Sequence, residues 1–502
     1  MSHPEQTHTV KPPFAAAMTG NGDTCATLDR SGSLDWLGGI SPGGSPMGCD
    51  VRFALSPTEP AEAQCEMVGQ TAVLHTTWRL GTGSASVTDF VPLVNGRRGD
   101  AREPSAPWAR FIRLVEGLDG ALELSFRLAP RPGGRRPQLS EDPHGLLFTG
   151  DDTTLVLQTS GEVRLDNDGT AHGTFSLQRG DTRVFVLTCH QGDDPEVKPL
   201  TQADTERALD RTFDHWLTWA QGIPFQGVQR SHLLHLLVPL RAVGNAPWGS
   251  LAPAGQPSAG PMFAAAALAA WGDEQALEQC LAAWRETQES GSEAAEEVAW
   301  LLDTLAEGER TGLIPAPLWL PHREHLSDAV DDLVEHTRQF TSELTPESRL
   351  ARLAGLAGAL ALVEQGLLAP GTTDWEAALE EQGQQLLDSP SAPVGWADAL
   401  ALAGRFPGGS ADGAAALDDP DRVPRSPRDD LWAIWRTLGG GAYTQARRAM
   451  DRFLLDFSPV WNADRCPGAD PTSWARAAWL AARIYLQEPP TPGKIDLPEE
   501  WG

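Results

Sequence analysis

The sequence predicts a two-part fold, a β-sandwich followed by a helical domain. Between residue 14 and about residue 195, short runs alternate apolar and polar side chains, as in 85–91 and 122–128. Clusters of Gly, Pro and Asp or Asn separate these runs, and no helical pattern intervenes, which is typical of an antiparallel sandwich. From about 226 to 487, Ala- and Leu-rich segments recur between Gly and Pro breaks, and this indicates successive helices.

The same patterns divide the chain along its length. We expect a disordered N-terminus over 1–13, the β-sandwich over 14–200, a linker helix over 201–225, the helical domain over 226–487 and a C-terminal tail over 488–502. A chain of 502 residues is too long for one core and suits two or three domains.

Composition excludes several classes of function. The formal net charge of −29 argues against nucleic acid or an anionic membrane surface as a partner. No apolar run is long enough for a transmembrane helix, and the start of the chain lacks the pattern of a signal peptide, so a cytoplasmic location is expected. The six cysteines lack metal-ligand spacing and no nucleotide loop is present, so we expect neither a metal nor a cofactor.

Three stretches resemble one known family. Gly20-Asn21-Gly22 and the following "DRSGSLDWL" (29–37) form a hairpin pattern around a tight turn. They resemble the N-terminal signature of bacterial family 15 glycoside hydrolases, the glucoamylase, glucodextranase and trehalase group. Residues 74–132 and the "DHWLTW" segment at 214–219 are similar to further segments of that family. The resemblance implies that the helical domain is a toroid of six α-hairpins, here trimmed, and that the substrate class is carbohydrate.

The part of the family that grips the terminal sugar is missing from this chain. The family carries an Arg-Asp pair in the loop before a helix that corresponds to residues 265–284 here. Ala259 and Gly260 stand where that pair would be. Neither side chain can make the charged, bidentate hydrogen bonds that hold a sugar, so the resemblance does not extend to the residues that bind the terminal sugar.

The catalytic carboxylates are also only partly matched. An inverting glycosidase needs two carboxyl groups roughly 6.5–9.5 Å apart, one acting as acid and the other as base. Comparison with the family gives Glu343 as the nearest acid, and gives Asp464 as the base if the match slips by one residue from Ala463. The alternatives are a helix-start role for Glu343 and a plain loop position for Asp464.

Two hypotheses about function follow. The first is a carbohydrate-related binding or scaffolding protein that keeps the shell of the family and has lost glucoamylase-type catalysis. The second is an active, divergent inverting hydrolase of a short α-glucoside such as a malto-oligosaccharide or trehalose, with Glu343 as acid and Asp464 as base. Trp248 and Trp461 are candidates for stacking on sugar rings, although most buried Trp residues belong to cores. An oligomer or a protein partner is compatible with either hypothesis.

Overall fold

The fold is described here from a computed structural model. It describes residues 17–22, 24–29, 32–40, 46–93, 108–132, 134–143, 145–150, 152–191, 199–244, 261–288, 295–339, 346–387, 434, 443–456 and 471–486. Within these ranges the strands come first and the helices follow. The fold class predicted from the sequence is confirmed, since an antiparallel β-sandwich precedes a helical domain.

Two antiparallel sheets make up the sandwich, and their strands are β1 Ala17–Gly20, β2 Thr24–Leu28, β3 Leu34–Ile40, β4 Pro46–Pro57, β5 Glu62–Met67, β6 Leu74–Leu80, β7 Gly83–Phe90, β8 Trp108–Pro132, β9 Gln138–Asp142, β10 Gly145–Thr149, β11 Thr153–Thr159, β12 Arg164–Leu165, β13 Ala171–Gln178 and β14 Thr182–Gln191. The first sheet runs β1-β2-β3-β4-β8-β13-β12. The second runs β5-β6-β7-β8-β14-β11-β10-β9. Alternation along the strands therefore gives each sheet one face toward a shared core.

Strand β8 belongs to both sheets. Its first half pairs with β7 and β14, and its second half, from Ala121 onward, pairs with β4 and β13. Gly117 and Gly120 lie at the corner between the halves, and Gly120 has a φ of 60°. A Cβ atom at either position would collide with a backbone carbonyl of a neighbouring segment, so only glycine fits this corner.

A buried arginine of the second sheet is paired with an acid on the neighbouring strand and also reaches the first sheet across the core. Arg113 on β8 donates from Nε to Asp89 Oδ1 at 2.8 Å and from Nη2 to Asp89 Oδ2 at 2.9 Å, and both residues are about 1% exposed. Nη1 of Arg113 also donates to the Phe53 carbonyl on β4 at 3.1 Å, and Nη2 donates to the Gly32 carbonyl. One guanidinium therefore connects the second sheet to β4 and to the β2–β3 turn of the first sheet.

The helices are α1 Gln202–Gly222, α2 Arg230–Val243, α3 Pro261–Ala270, α4 Glu274–Gln288, α5 Ala295–Thr311, α6 Arg323–Gln339, α7 Pro346–Glu364, α8 Trp375–Leu387, α9 Tyr443–Asp456 and α10 Pro471–Tyr485. Helix α1 begins with a capping box formed by Thr201 and Asp204 and lies on the outer face of the second sheet. None of the described helices combines the length and the apolar character that a membrane span requires.

Four helices lie side by side in the order α10, α3, α5, α7, and α7 and α10 each run in the same direction as α5. Gly355 of α7 lies against Ala299 of α5, and Gly358 lies against Leu302. A Cβ atom added at either glycine would come closer than 3 Å to the backbone of α5. Trp271, the residue after α3, and Tyr485, the last residue of α10, both pack against Phe225. The ring centroid of Phe225 is 6.1 Å from that of Trp271 and 4.9 Å from that of Tyr485. These inner helices are rich in small residues, and α4, α6 and α8 connect or cover them, as in an arc of an α-hairpin toroid.

We predict that the Asp89→Asn variant loses about 3–5 kcal/mol of unfolding free energy, because it leaves Arg113 charged and unpaired in the core. The matched control is Glu116→Gln, three positions along β8 from Arg113 and exposed to solvent, which should change stability by less than about 0.5 kcal/mol. Urea unfolding followed by circular dichroism measures both. Equal stability of the two variants would show that the ion pair does not stabilise the core of the sandwich.

Candidate functional site

The Gly20-Asn21-Gly22 motif forms the joint between the two domains. The Gly22 amide donates to the Ala242 carbonyl of α2 at 3.0 Å. A Cβ atom on Gly20 would collide with the same carbonyl, and one on Gly22 would lie 2.5 Å from the Arg241 guanidinium. Asn21 closes the turn by accepting from the Thr24 amide at 2.9 Å and donating to the Pro92 carbonyl at 2.8 Å. The most family-like part of the sequence therefore has an architectural role.

The linker helix contributes the second part of the joint. Trp219 near the end of α1 donates from its indole to Asp273 Oδ2 at 2.8 Å, and Asp273 lies in the turn between α3 and α4. Arg241 of α2 binds the same carboxylate at 2.7 Å, and both of these charged groups are almost buried. Asp273 thereby links three helices, which explains a Trp at position 219 without any contact to a ligand.

The site residues predicted from the sequence lie outside the described residues. These are Glu343 and Asp464 as catalytic candidates and Trp248 and Trp461 as sugar-stacking candidates. Ala259 and Gly260, which stand where the family has its sugar-binding Arg-Asp pair, lie outside them as well. All four candidates remain predictions. In the chain, each one comes shortly before the first residue of an inner helix, α3, α7 or α10.

A band of polar side chains on α5 and α10 is the candidate site within the described residues. We call it the inner wall and define it as Trp300, Asp303, Thr304, Glu307, Arg476 and Arg483. Helix α3 contacts α4, α5 and α10, and it consists mainly of alanines. Two arginines of α10 nevertheless reach side chains of α5.

Residues of α5 and α10 pair along the inner wall in the same order, because these two helices run in the same direction. The Arg476 guanidinium lies over the Trp300 ring at 4.4 Å from its centroid. Seven residues further along both helices, Arg483 forms an ion pair with Glu307. Glu307 also accepts from Nε of Arg310 at 2.8 Å, so one carboxylate serves two guanidinium groups. Asp303 and Glu307 are only partly covered, whereas Arg476 is 7% exposed.

Asp303 has the most perturbed carboxyl group of the inner wall. Burial raises its pKa to about 7, and the nearby charge of Glu307 raises it further against the opposing effect of Arg483 and Arg476. At neutral pH this carboxyl is therefore protonated in a large part of the molecules and can donate a hydrogen bond. Burial also lowers the pKa of Arg483, since its charge is removed from water.

The inner wall differs from the pair of carboxylates that glycoside inversion requires. Asp303 and Glu307 are one helical turn apart on the same helix, so both approach a ligand from one side. Two acids that act on opposite faces of a sugar must come from different elements. Within the described ranges, no group of three or more His, Cys, Asp or Glu residues is arranged to hold a metal ion.

Sequence reasoning missed the inner wall because it followed the alignment of family motifs into loops. A signal was nevertheless present. Arg476 and Arg483 are seven residues apart in "WARAAWLAARIY", which is otherwise almost entirely apolar. Two charges at that spacing lie on one face of a helix and need partners there when the helix is buried.

The sandwich also carries concave surfaces. A cavity of about 320 Å³ lies on the exposed side of the first sheet, where Arg127 and His172 approach Asp166 at 3.6 and 3.7 Å. A wider groove of about 720 Å³ lies between the second sheet and the start of α1. None of the described residues that line the groove is aromatic, so this part of it offers no ring on which a sugar could stack.

We predict that Gly20→Ala loosens the joint, because the added methyl group meets a backbone carbonyl that cannot move aside. The expected result is a loss of more than about 1 kcal/mol in unfolding free energy and faster limited proteolysis between the domains. Gly81→Ala is the control, since nothing lies within 4 Å of a Cβ atom there. Unchanged proteolysis of the Gly20 variant would contradict the assignment.

We also predict that Asp303→Asn changes the free energy of unfolding in a way that depends on pH. The folded pKa of Asp303 lies above the usual value near 3.9, so its contribution to stability is highest below about pH 4 and falls as pH rises to about 7. The difference in unfolding free energy between the variant and the natural protein should therefore shift in favour of the variant as pH rises from 5 to 8. Urea unfolding at both pH values measures this, with the exposed Asp328→Asn as control. A difference that is constant with pH would contradict the raised pKa.

Comparison with known proteins adds little to this description. No model of a known protein family matches the chain, and no curated protein matches it. Among solved structures, 57 chains match. One of them, titled "Putative kojibiose phosphorylase from human microbiome", is 9% identical, and the match covers 97% of this chain and 88% of that chain with a TM-score of 0.43. The chain is similar to that structure in outline only.

Proposed function

We propose that this protein binds a carbohydrate within a glycoside-hydrolase-like shell and does not carry out glucoamylase-type hydrolysis. The ligand would enter at the N-terminal ends of the inner helices and reach the inner wall. The finer assignment, to a relative of family 15 glycoside hydrolases, belongs to the same proposal and depends on the sequence motifs around 20–37, 74–132 and 214–219.

One observation carries the proposal. The carboxyl groups of the inner wall are on one helix, and Glu307 is held by two guanidinium groups. Such an arrangement can bind hydroxyl groups through charged hydrogen bonds, but it cannot place an acid and a base on opposite faces of a sugar. The absence of the Arg-Asp grip at 259–260 supports the same conclusion from the sequence.

Retention of the joint supports the proposal independently. Two of the motifs that resemble the family contribute to it, since Gly22 donates to the Ala242 carbonyl of α2 and Trp219 of α1 donates to Asp273 in the α3–α4 turn. These contacts support a glycoside-hydrolase-like shell, whereas the function within that shell depends on the site itself. Aromatic, hydroxyl, carboxyl and guanidinium groups, which the inner wall contains, are among the side chains from which sugar sites are made.

A second function is favoured by one specific observation. A carboxyl group with a pKa of about 7 keeps its proton in about half of the molecules at neutral pH, as a general acid requires, and the pKa of Asp303 is raised to about 7. In an active, divergent inverting hydrolase, Asp303 would replace Glu343 as the acid, with Asp464 still the candidate base. The substrate would be a short α-glucoside such as trehalose or a malto-oligosaccharide.

Proton NMR of the purified protein with maltotetraose, isomaltose and trehalose separates the two functions. We expect saturation transfer from the protein to the sugar protons and no new anomeric signal over several hours. Asp303→Asn should weaken the transfer several-fold because it removes a carboxyl group that can exchange hydrogen bonds with the sugar, whereas the exposed Asp328→Asn should leave it unchanged.

The other outcomes are equally clear. Early appearance of β-glucose that Asp303→Asn abolishes would contradict the first function and establish an inverting hydrolase. Absence of both transfer and turnover across neutral and charged sugars would contradict carbohydrate binding altogether.

A further inference from the structure

The exposed face of the first sheet carries a cavity of about 320 Å³ that side chains from four strands line. Its floor is a row of three hydroxyl residues, because the register pairs Ser56 with Ser125 and Ser125 with Thr174. Neighbouring strands are about 4.8 Å apart, so the row spans about 10 Å. We call this cavity the sandwich cleft and define it by this row and a second, basic one: Ser56, Ser125, Thr174, Arg127, His172 and Arg164.

The basic row runs beside the hydroxyl row. Arg127 pairs with His172, and His172 pairs with Arg164, so the three residues are on the neighbouring strands β8, β13 and β12. Arg127 is two positions along β8 from Ser125, so both rows are on one face of the sheet, about 7 Å apart. The side chains of Arg127 and Arg164 are 56% and 72% exposed, so a ligand in the cleft can reach them.

Arg127 is held only loosely by its neighbours. Within the described residues it donates one long hydrogen bond, of 3.5 Å, to the Thr170 hydroxyl. Two carboxylates approach it, Asp166 at 3.6 Å and Asp168 at 3.8 Å, and both distances are too long for a hydrogen bond. Exposed ion pairs of this kind contribute at most about 1 kcal/mol, so the guanidinium can turn toward a ligand at little cost.

A rim that carries Glu162 and Arg164 makes this face of the sheet concave. The two side chains form an exposed ion pair at 3.5 Å. Gly173 allows the rim to lie against the sheet, since a Cβ atom there would be 2.9 Å from the Glu162 carbonyl and 2.7 Å from the Phe126 ring. The cleft therefore depends on a glycine at this position.

Hydrogen-bond donors and acceptors occur together in the cleft. The guanidinium groups donate, the Glu162 carboxylate accepts, and the hydroxyl groups of the floor can do both. A simple anion would use only the donors, whereas each hydroxyl group of a sugar both donates and accepts. The rows are close enough for one sugar ring to lie on the small side chains of the floor and to reach both rows.

We propose that the sandwich cleft is a second carbohydrate site, which binds a neutral mono- or disaccharide through the hydroxyl row and through Arg127 and Arg164. Among the described lining residues the one aromatic side chain, Phe126, is 3% exposed and offers no open face for stacking, so the affinity is expected to be low. The inference goes beyond the proposed function, because the cleft belongs to the other domain and does not require the inner wall.

NMR of the full chain with ¹³C-labelled His tests this inference. The chain has 12 His residues, and the ring signal of His172 is assigned by its loss in His172→Asn. Titration with maltose and with trehalose at constant pH is expected to shift this signal in a saturable way. Arg164→Gln and Thr174→Val should each weaken the apparent affinity about five-fold, because each removes one hydrogen-bonding group from the cleft.

Arg79→Gln is the matched control, since it removes another exposed arginine, on β6 of the second sheet, and should leave the affinity at His172 unchanged. The response of His172 should also persist in Asp303→Asn, which separates the cleft from the inner wall. A His172 signal that no sugar shifts, or an affinity that neither cleft variant lowers, would overturn this inference. The proposed function would still stand if saturation transfer to the sugars is seen and Asp303→Asn weakens it. Inorganic phosphate that shifts the signal as strongly as the sugars would show a plain anion site and would also overturn the inference.

Discussion

The glycine turn at residues 20–22 is the contact that fixes the relation between the two domains. Gly20 and Gly22 allow the first hairpin of the sandwich to lie directly against the backbone of α2, closer than any side chain would permit. Gly244, with a φ of 46°, ends α2 at the same place and lies against Gly22. Asp273 then ties α1 and α2 to the α3–α4 turn. The placement of α3 against the sandwich, and with it that of α10 and α5, depends on these backbone contacts and on the side-chain contacts of Asp273.

Within each domain a different device keeps the layers together. The sandwich has Arg113, paired with Asp89 within the second sheet and donating to the Phe53 carbonyl of the first sheet, and it has the bent strand β8 shared by both sheets. The helical domain depends on small residues, since Gly355 and Gly358 bring α7 against α5 and alanines bring α3 close to its neighbours. Trp271 adds a hydrogen bond from its indole to the Ala478 carbonyl of α10 at 2.9 Å. Close packing of this kind leaves few places for charge, and this makes the polar inner wall distinctive.

Much of the fold could be predicted from local pattern, whereas the site could not. Strands such as β7 and β8 follow from alternation, and helices such as α5 and α6 follow from apolar periodicity between Gly and Pro breaks. The inner wall required knowledge of which helices are neighbours, because Trp300 and Arg476 are far apart in sequence and meet only when α5 and α10 flank α3. The role of Gly20-Asn21-Gly22 was equally hidden, since its partner, the Ala242 carbonyl, belongs to another domain and has no side-chain signature. Glu343, Asp464, Trp248 and Trp461 were chosen by alignment alone and remain predictions.

The central claim is that a sugar reaches the inner wall, and Trp300 provides a direct probe of it. The chain has 18 Trp residues, so selective ¹⁵N labelling of Trp gives a small set of indole signals that can be followed by NMR. The signal of Trp300 is assigned by its loss in Trp300→Phe. Titration with trehalose and with maltotetraose is expected to shift this signal in a saturable way while that of Trp219 in the joint stays in place. Saturable binding with no movement of the Trp300 signal would place the sugar elsewhere and contradict the account.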